Sequence, residues 1–310
     1  MNIVWMIPTL NLTNPSVRIR RFNISSKLNE LGIAHSRVIS GYYERPIQSV
    51  LNEIKIEEKW PDTIIITECS HYDLELIKEL KGKTLLIFDH CEALFGYPYE
   101  NDIMSNVNLI SCCSTKLQEL TNNWGFKHTA VLKDPIEDKV PSTPIVYTNR
   151  YPKPRAVFMG MGGNAVLLNE IKGAIDSAGY DLITITEQDN SSIKWDLRTW
   201  PDSLVSCDVA LCPQHIEIQK AKSNVKVTTA MALGLPVITS RIKAYEEIIT
   251  DGFNGFICDS SIQWANALIR LKDSGTRKRV GMAGNESVKE YTLEIIAKKW
   301  ISVILALKNV

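Results

Sequence analysis

The sequence predicts an α/β fold of two Rossmann-like, doubly wound domains that face a central cleft. The chain has 310 residues, about twice the length of a typical domain. Short apolar, β-rich runs alternate with amphipathic stretches, which is the pattern of parallel sheets covered by helices. Five prolines between Asp134 and Pro154 interrupt this alternation. Because proline at this density prevents regular pairing, we predict an interdomain linker there, between domains at residues 1–150 and 151–310.

The first half opens with a strand-like run, and five more follow it. We predict strands at Ile3–Ile7, Ala34–Ile39, Thr63–Thr67, Thr84–Phe88, Leu109–Cys113 and Thr129–Leu132. Helical stretches lie between most of these strands. In the stretch Ser16–Leu31, Ile19, Phe22 and Leu28 recur at a spacing compatible with a helix.

A second alternating series begins after the linker. We predict strands at Arg155–Met159, Leu182–Thr186, Val209–Cys212 and Pro236–Ser240, and helices at Ala165–Ala178, Pro201–Ser206, Val225–Leu233 and Tyr245–Ile249. A hairpin-like segment is expected at Gly252–Ile257, and three helical stretches follow it to the C-terminus. Ligands of doubly wound folds bind at the carboxyl ends of the strands, so functional residues are expected there.

Composition and charge exclude several classes of protein. The chain is 45% hydrophobic and 23% charged, as is typical of globular proteins, and its net charge is zero, so no overall field favours nucleic acid or anionic lipid. No apolar run reaches the roughly 18 residues of a membrane span, which predicts a cytoplasmic protein without a transmembrane segment. The seven cysteines include no Cys-x-x-Cys pair, so we expect buried, reduced thiols and no metal site.

The most informative stretch runs from Asp208 to Asp259. Lys222 and Lys226 lie four residues apart, so in a helix that begins as early as Ser223 they would converge near its N-terminal turn. Free amide donors and the helix dipole favour an anion at that place, and Ser223 or Asn224 would cap the helix. This pattern predicts a diphosphate site; a solvated lysine face is the alternative.

A second candidate phosphate site is the turn Gly160-Met-Gly162-Gly163-Asn164. It follows the first predicted strand of the second half and opens a helix. Glycines at such a turn let backbone amides approach a phosphate closely. A plain strand-to-helix turn is the alternative.

Several motifs of this region together resemble the donor-binding domain of bacterial and phage GT-B glycosyltransferases, in particular those related to retaining family four. They are Lys220-Ala-Lys222-Ser-Asn-Val-Lys226, Ala230-Met-Ala-Leu-Gly-Leu-Pro-Val-Ile-Thr-Ser240, Tyr245-Glu-Glu-Ile and Asp251-Gly-Phe-Asn-Gly-Phe256. The resemblance in motifs covers about the last 150 residues. It implies a GT-B fold and a nucleotide-diphosphate sugar donor bound by Gly162, Gly163, Asn164, Lys222, Asn224, Lys226, Thr229 and Tyr245. It also implies that the C-terminal helical stretch near Trp300 packs back on the first domain.

The sequence departs from the resembled family at two acidic positions. Many relatives carry a Glu that contacts the donor ribose and a second Glu eight residues upstream, whereas this chain has Thr229 and Ala221 there. A threonine hydroxyl hydrogen-bonds a ribose without the charge-assisted strength of a carboxylate.

The first half supplies the remaining candidates. Asp89 and His90 end a predicted strand, and the resemblance implies that His90 is catalytic and contacts the donor sugar; a histidine that only caps a loop is the alternative. Glu68 is a similar candidate at a strand end.

The loop Pro8–Ser16 replaces the glycine-rich acceptor loop of many relatives, and Arg18, Arg20 and Arg21 follow it. Arginines there would bind an anionic acceptor, although a solvated helix face is the favoured interpretation. Ser16, Arg18, Glu68 and Asp89 are therefore the acceptor-side candidates.

The resemblance implies transfer of a sugar to a hydroxyl acceptor, with retention at the anomeric carbon. No Asp-x-Asp motif is present, so we expect no metal, and no cofactor beside the nucleotide sugar. A catalytically silent nucleotide-sugar-binding subunit and a GT-B-type epimerase are alternatives, while the lack of Gly-x-Gly-x-x-Gly disfavours a dinucleotide-linked oxidoreductase. A glycan, lipid carrier, protein, small molecule or modified nucleobase remains open as acceptor.

Overall fold

The computed structural model describes residues 1–91, 96–137, 139, 141, 143–217 and 219–308. The chain forms two compact units. Unit 1 comprises Met1–Glu137, Ala221–Ser223 and Thr292–Val310, and unit 2 comprises Asp138–Lys220 and Asn224–Tyr291. The long segment of unit 1 therefore ends within the segment predicted as the linker.

Strands and helices alternate along the described chain. The strands are β1 (Asn2–Ile7), β2 (His35–Ser40), β3 (Thr63–Ile66), β4 (Leu85–His90), β5 (Leu109–Cys112), β6 (Thr129–Val131), β7 (Arg155–Met159), β8 (Asp181–Thr186), β9 (Ile193–Lys194), β10 (Val209–Cys212), β11 (Val237–Ser240) and β12 (Phe256–Cys258). The α-helices are α1 (Asn23–Glu30), α2 (Ile47–Ile54), α3 (His71–Leu80), α4 (Glu100–Ser105), α5 (Thr115–Asn123), α6 (Lys172–Ser177), α7 (Trp200–Val205), α8 (Val225–Ala232), α9 (Lys243–Glu246), α10 (Ser261–Arg270), α11 (Ser274–Ser287) and α12 (Leu293–Lys308).

The sheet of unit 1 is six-stranded, with the order β2-β1-β3-β4-β5-β6 and only parallel pairs. Alternate residues of its strands face two different hydrophobic clusters, because side chains along a strand point to opposite faces. Met6, for example, lies in the cluster with α2 and α3 residues, and Trp5 lies in the cluster with α1 residues. Both faces of the sheet are therefore covered, as a parallel sheet requires.

The C-terminal helix α12 belongs to unit 1, which confirms the predicted return of this segment to the first domain. Trp300 is fully buried, and its ring centroid lies 5.0 Å from that of Trp5 in an edge-to-face arrangement. Ile296 and Ile304, four residues to either side, are buried in the same cluster. This spacing places one apolar stripe of α12 on the sheet.

The sheet of unit 2 is also six-stranded and parallel, with the order β12-β11-β10-β7-β8-β9. Successive strands run outward from β7 in one direction and from β10 in the other. The order reverses between β7 and β10, so the carboxyl ends of these two strands form the topological switch point where doubly wound folds bind ligands.

The structure corrects three local predictions and adds one strand. The segment Gly252–Ile257 is not a hairpin, because β12 pairs in parallel with β11. The helical stretch after Ser16 is a π-helix, Ser16–Phe22, that continues into α1. The stretch Ala165–Ala178 is divided into a 3-10 helix, Gly162–Glu170, and α6, and the short strand β9 was not predicted.

All seven cysteines are free thiols, and five of them are buried, as predicted. Within the described ranges, no helix is both long and apolar enough to cross a membrane.

Candidate functional site

Lys226 lies beside the glycine turn that follows β7. A Cβ built on Gly160 would be 2.9 Å from the Lys226 Nζ, and this Nζ is 5.0 Å from the centroid of the Phe158 ring. Lys226 also lies near the buried thiol of Cys212, where burial raises the thiol pKa to about 12 and the lysine charge opposes the rise. The ammonium group is thus held at the carboxyl end of β7, next to a neutral thiol.

The helix that carries Lys226 starts later than the predicted pairing of Lys222 with Lys226 required. Because α8 begins at Val225, Lys222 precedes the helix, so the two lysines do not share the helical turn on which their predicted convergence depended. The predicted cap is wrong as well: Asn224 occupies the N-cap position but its side chain makes no capping bond. Among the described residues the buried Asn224 Oδ1 has no hydrogen-bond partner.

The glycine turn itself contacts the turn that follows β8. The Gly162 N–H lies 3.0 Å from both carboxylate oxygens of Glu187. A Cβ built on Gly162 would lie only 2.2 Å from the Gln188 Cδ, so the position admits only glycine while Gln188 keeps this conformation. A Cβ on Gly163 would meet no atom within 4 Å, which leaves this part of the turn open.

Asn164 links the glycine turn to the loop after β10. Its Oδ1 accepts a hydrogen bond of 3.1 Å from the Gln219 Nε2. Gln214 holds the start of the same loop. Its backbone N–H donates to the Ser240 Oγ over 3.0 Å, and its side-chain Nε2 donates to the Tyr245 hydroxyl over 2.9 Å. The two loops at the switch point are therefore fixed by side-chain hydrogen bonds.

Thr229 and Tyr245 are both buried. Thr229, on α8, is 5% exposed, and Tyr245 is fully buried. Burial also raises the pKa of Tyr245 far above its ordinary value, so the phenol stays neutral. Their predicted donor contacts remain predictions, as do those of Lys222, Lys226, Asn224 and the residues of the glycine turn.

His90 ends β4 in unit 1, and only 3% of it is exposed. Its Nε2 lies 3.2 Å from the Glu100 Oε1, its Nδ1 lies 3.4 Å from the Thr121 hydroxyl, and its ring stacks on Phe88. The imidazole is thus fitted between two polar groups of unit 1. Its catalytic role stays a prediction.

The three arginines after the first loop are buried, so the favoured interpretation of a solvated helix face is wrong. Arg18 pairs with Glu137 at 2.7 Å, and Arg20 pairs with Asp89 and Asp134 at 2.8 Å each. Arg21 lies 3.6 Å from Asp89. These ion pairs explain the burial, because a charge leaves water only where partners compensate it.

The other acceptor-side candidates border this cluster. Asp89 is 1% exposed and bound by Arg20, whereas the half-exposed Glu68 lies 3.3 Å from Arg21. Ser16 begins the π-helix, and its amide donates to the Asn14 Oδ1 over 2.9 Å. Insertions of the π type are frequent at functional sites, but whether these residues bind an acceptor remains a prediction.

Sequence reasoning missed Glu187 and Gln188. The available signal was an acidic residue directly after the second strand of a βαβ unit, opposite a glycine turn. It also missed Asp134 and Glu137, whose partners lie more than a hundred positions away in the sequence. In the part of the chain that the structure describes, no three His, Cys, Asp or Glu side chains are grouped as metal ligands would be.

Comparison with known proteins finds one family that matches part of the chain. Residues 155–274 match the family model of glycosyl transferases group 1. No curated protein sequence matches the chain.

The solved structures with similar folds include three GT-B glycosyltransferases. Anabaena HepE in complex with UDP-glucose has a TM-score of 0.70 at 12% identity, covering 100% of both chains. Sucrose-phosphate synthase from Thermosynechococcus elongatus has a TM-score of 0.68 at 11% identity, covering 99% of both chains. TarM from S. aureus has a TM-score of 0.57 at 10% identity over 78% of this chain, which spans only 55% of the TarM chain.

The predicted fold class is confirmed, since the two parallel six-stranded sheets match GT-B structures over the whole chain. The family match covers residues 155–274, which is less than half of the chain, and it favours the predicted enzyme class.

Proposed function

We propose that the protein transfers a sugar from a nucleotide-diphosphate donor to a hydroxyl acceptor, with retention, as the resemblance to retaining family four implies. The observation that carries the proposal is the Lys226 ammonium beside the Gly160 turn, at the topological switch point of a glycosyltransferase domain. A cation and the backbone amides of the glycine turn match the charge of a donor diphosphate.

The chemical task is departure of the nucleotide diphosphate from an oxocarbenium-like centre. A fixed positive charge near the leaving group stabilises the negative charge that develops on it, which lowers the barrier. Lys226 and the amides of Gly162 and Gly163 would supply this stabilisation, so the proposed reaction needs neither a metal nor a cofactor. HepE binds UDP-glucose, and this nucleotide sugar is therefore the first donor to test. We also propose a cytoplasmic location.

The test is the affinity of the Lys226→Ala variant for UDP, GDP and ADP, measured by isothermal titration calorimetry. Loss of a charged hydrogen bond should weaken binding by about 1.5 to 3 kcal/mol, which is roughly a 13-fold to 160-fold rise in Kd. Lys220→Ala is the matched control, because the half-buried Lys220 side chain pairs with Glu217 at 3.6 Å. Equal affinities of the two variants would assign Lys226 to a solvated surface and refute the proposed site.

A catalytically silent nucleotide-sugar-binding subunit is the second candidate. The observation in its favour is the pair Thr229 and Ala221, which stand where many relatives have Glu. Transferases slowly hydrolyse their own donor, whereas a binding module does not. Release of UDP from UDP-glucose by the wild-type protein, lost in Lys226→Ala, would support the transferase; binding without release, across a panel of nucleotide sugars, would support the silent subunit.

A further inference from the structure

One backbone amide of the proposed donor site already binds an anion that belongs to the chain. Both carboxylate oxygens of Glu187 lie 3.0 Å from the Gly162 nitrogen. This amide is the first of the 3-10 helix Gly162–Glu170, whose N-terminal N–H groups have no partner within the helix. A carboxylate and a phosphate oxygen satisfy such an amide in the same way.

The turn that carries Glu187 is held in place by its own hydrogen bonds. The Gln188 amide donates to the Thr186 hydroxyl over 3.1 Å, and the Ser191 hydroxyl donates to the Gln188 carbonyl over 2.6 Å. Glu187 itself is exposed. Its backbone is thus fixed while its side chain is free to rotate into solvent, so the contact with Gly162 can be broken without unfolding the turn.

We infer that Glu187 competes with the donor diphosphate for the Gly162 amide and must swing away when the donor binds. The inference rests on the proposed function, because it names the residue that the donor phosphate displaces. The negative charge of Glu187 also opposes an incoming diphosphate while it stays in this place, in contrast to the attraction exerted by Lys226. The Gly162 amide is consequently occupied by an internal anion.

The expected change in nucleotide affinity depends on the fraction of time for which Glu187 holds the Gly162 amide. A protein whose binding-competent state is populated for a fraction of the time shows an affinity reduced by that fraction. If Glu187 holds the amide for about nine-tenths of the time, its removal strengthens nucleotide binding about tenfold. Glu187→Ala should therefore lower the Kd for a nucleoside diphosphate about threefold to tenfold.

The experiment measures Kd for UDP, GDP and ADP by calorimetry in the wild-type protein, Glu187→Ala, Glu187→Gln and Asp189→Asn. Asp189→Asn is the matched control, since Asp189 lies in the same turn but pairs with Lys194 at 2.6 Å. It removes one negative charge without touching Gly162, and its Kd should stay within about twofold of wild type. Glu187→Gln keeps the shape but not the charge, and its Kd should fall between those of wild type and Glu187→Ala.

Tighter binding in Glu187→Ala but not in Asp189→Asn supports the inference. Unchanged or weaker binding in Glu187→Ala would overturn the inference but not the proposed function. A lower Tm of the same variant would show that Glu187 only caps the 3-10 helix. Equal tightening in Asp189→Asn would reduce the effect to overall charge and overturn it as well. If neither wild type nor Glu187→Ala binds any of the three nucleotides, the proposed donor site fails, and the inference fails with it.

Discussion

Replacing Asp89 with Asn tests whether this residue serves the acceptor site or the fold. Its carboxylate accepts hydrogen bonds from the Arg20 Nε over 2.9 Å and the Ser111 hydroxyl over 2.6 Å, and it lies 3.6 Å from Arg21. Both arginines are at most 2% exposed. Asp89→Asn leaves two buried guanidinium groups undercompensated, and the expected loss of unfolding free energy is about 3 to 5 kcal/mol.

The assay is urea unfolding of wild type and Asp89→Asn at neutral pH, with Glu294→Gln as control. Glu294 forms an exposed pair with Lys298, so its replacement should have no measurable effect. A loss below about 1 kcal/mol in Asp89→Asn would refute the structural assignment and return Asp89 to the acceptor-side candidates.

The same carboxylate predicts a pH dependence. Burial raises the pKa of Asp89, but Arg20 and Arg21 outweigh it and hold the pKa below its ordinary value. A group with a lowered folded-state pKa stabilises the fold above its unfolded value, about 3.9, and this contribution is lost as pH falls through the lower folded value. The difference between wild type and Asp89→Asn should therefore be complete above about pH 5 and shrink below about pH 4.

Two further variants test the remaining assignments in unit 1. His90→Ala should lower the transfer rate at least about tenfold and leave the Kd for the nucleoside diphosphate within about threefold. The reason is that a contact made mainly in the transition state affects turnover more than binding. His35→Ala, at an exposed site, is the control, and a His90→Ala rate equal to that of this control and of wild type would show that His90 takes no part in the reaction. Trp300→Ala should cost about 3 to 5 kcal/mol in urea unfolding, since it empties the contact with Trp5; a loss under about 1 kcal/mol would mean that α12 does not hold the sheet.

Most strands were predictable because they are short apolar runs, and a parallel sheet buries both faces of its central strands. Two of the errors concern the partners that a segment or side chain pairs with. The segment Gly252–Ile257 has the turn residues of a hairpin, yet β12 pairs with β11 instead, and nothing local distinguishes these two outcomes. Likewise, the arginines after Ser16 carry no sign that they are buried, because their carboxylate partners come from residues 89, 134 and 137.

The unit 2 candidate site lacks a carboxylate at one position and has one at another. Thr229 provides no carboxylate on α8, and Glu187 provides one on an exposed turn. A carboxylate on a helix stays where the helix holds it, whereas one on a surface turn leaves by rotation of its side chain. Lys226 thus places a positive charge near the glycine turn, and the negative charge of Glu187 can leave the turn by side-chain rotation. On the proposed function, affinity for the donor therefore depends on the conformation of one side chain, and variants of Glu187 and Lys226 should shift the Kd in opposite directions.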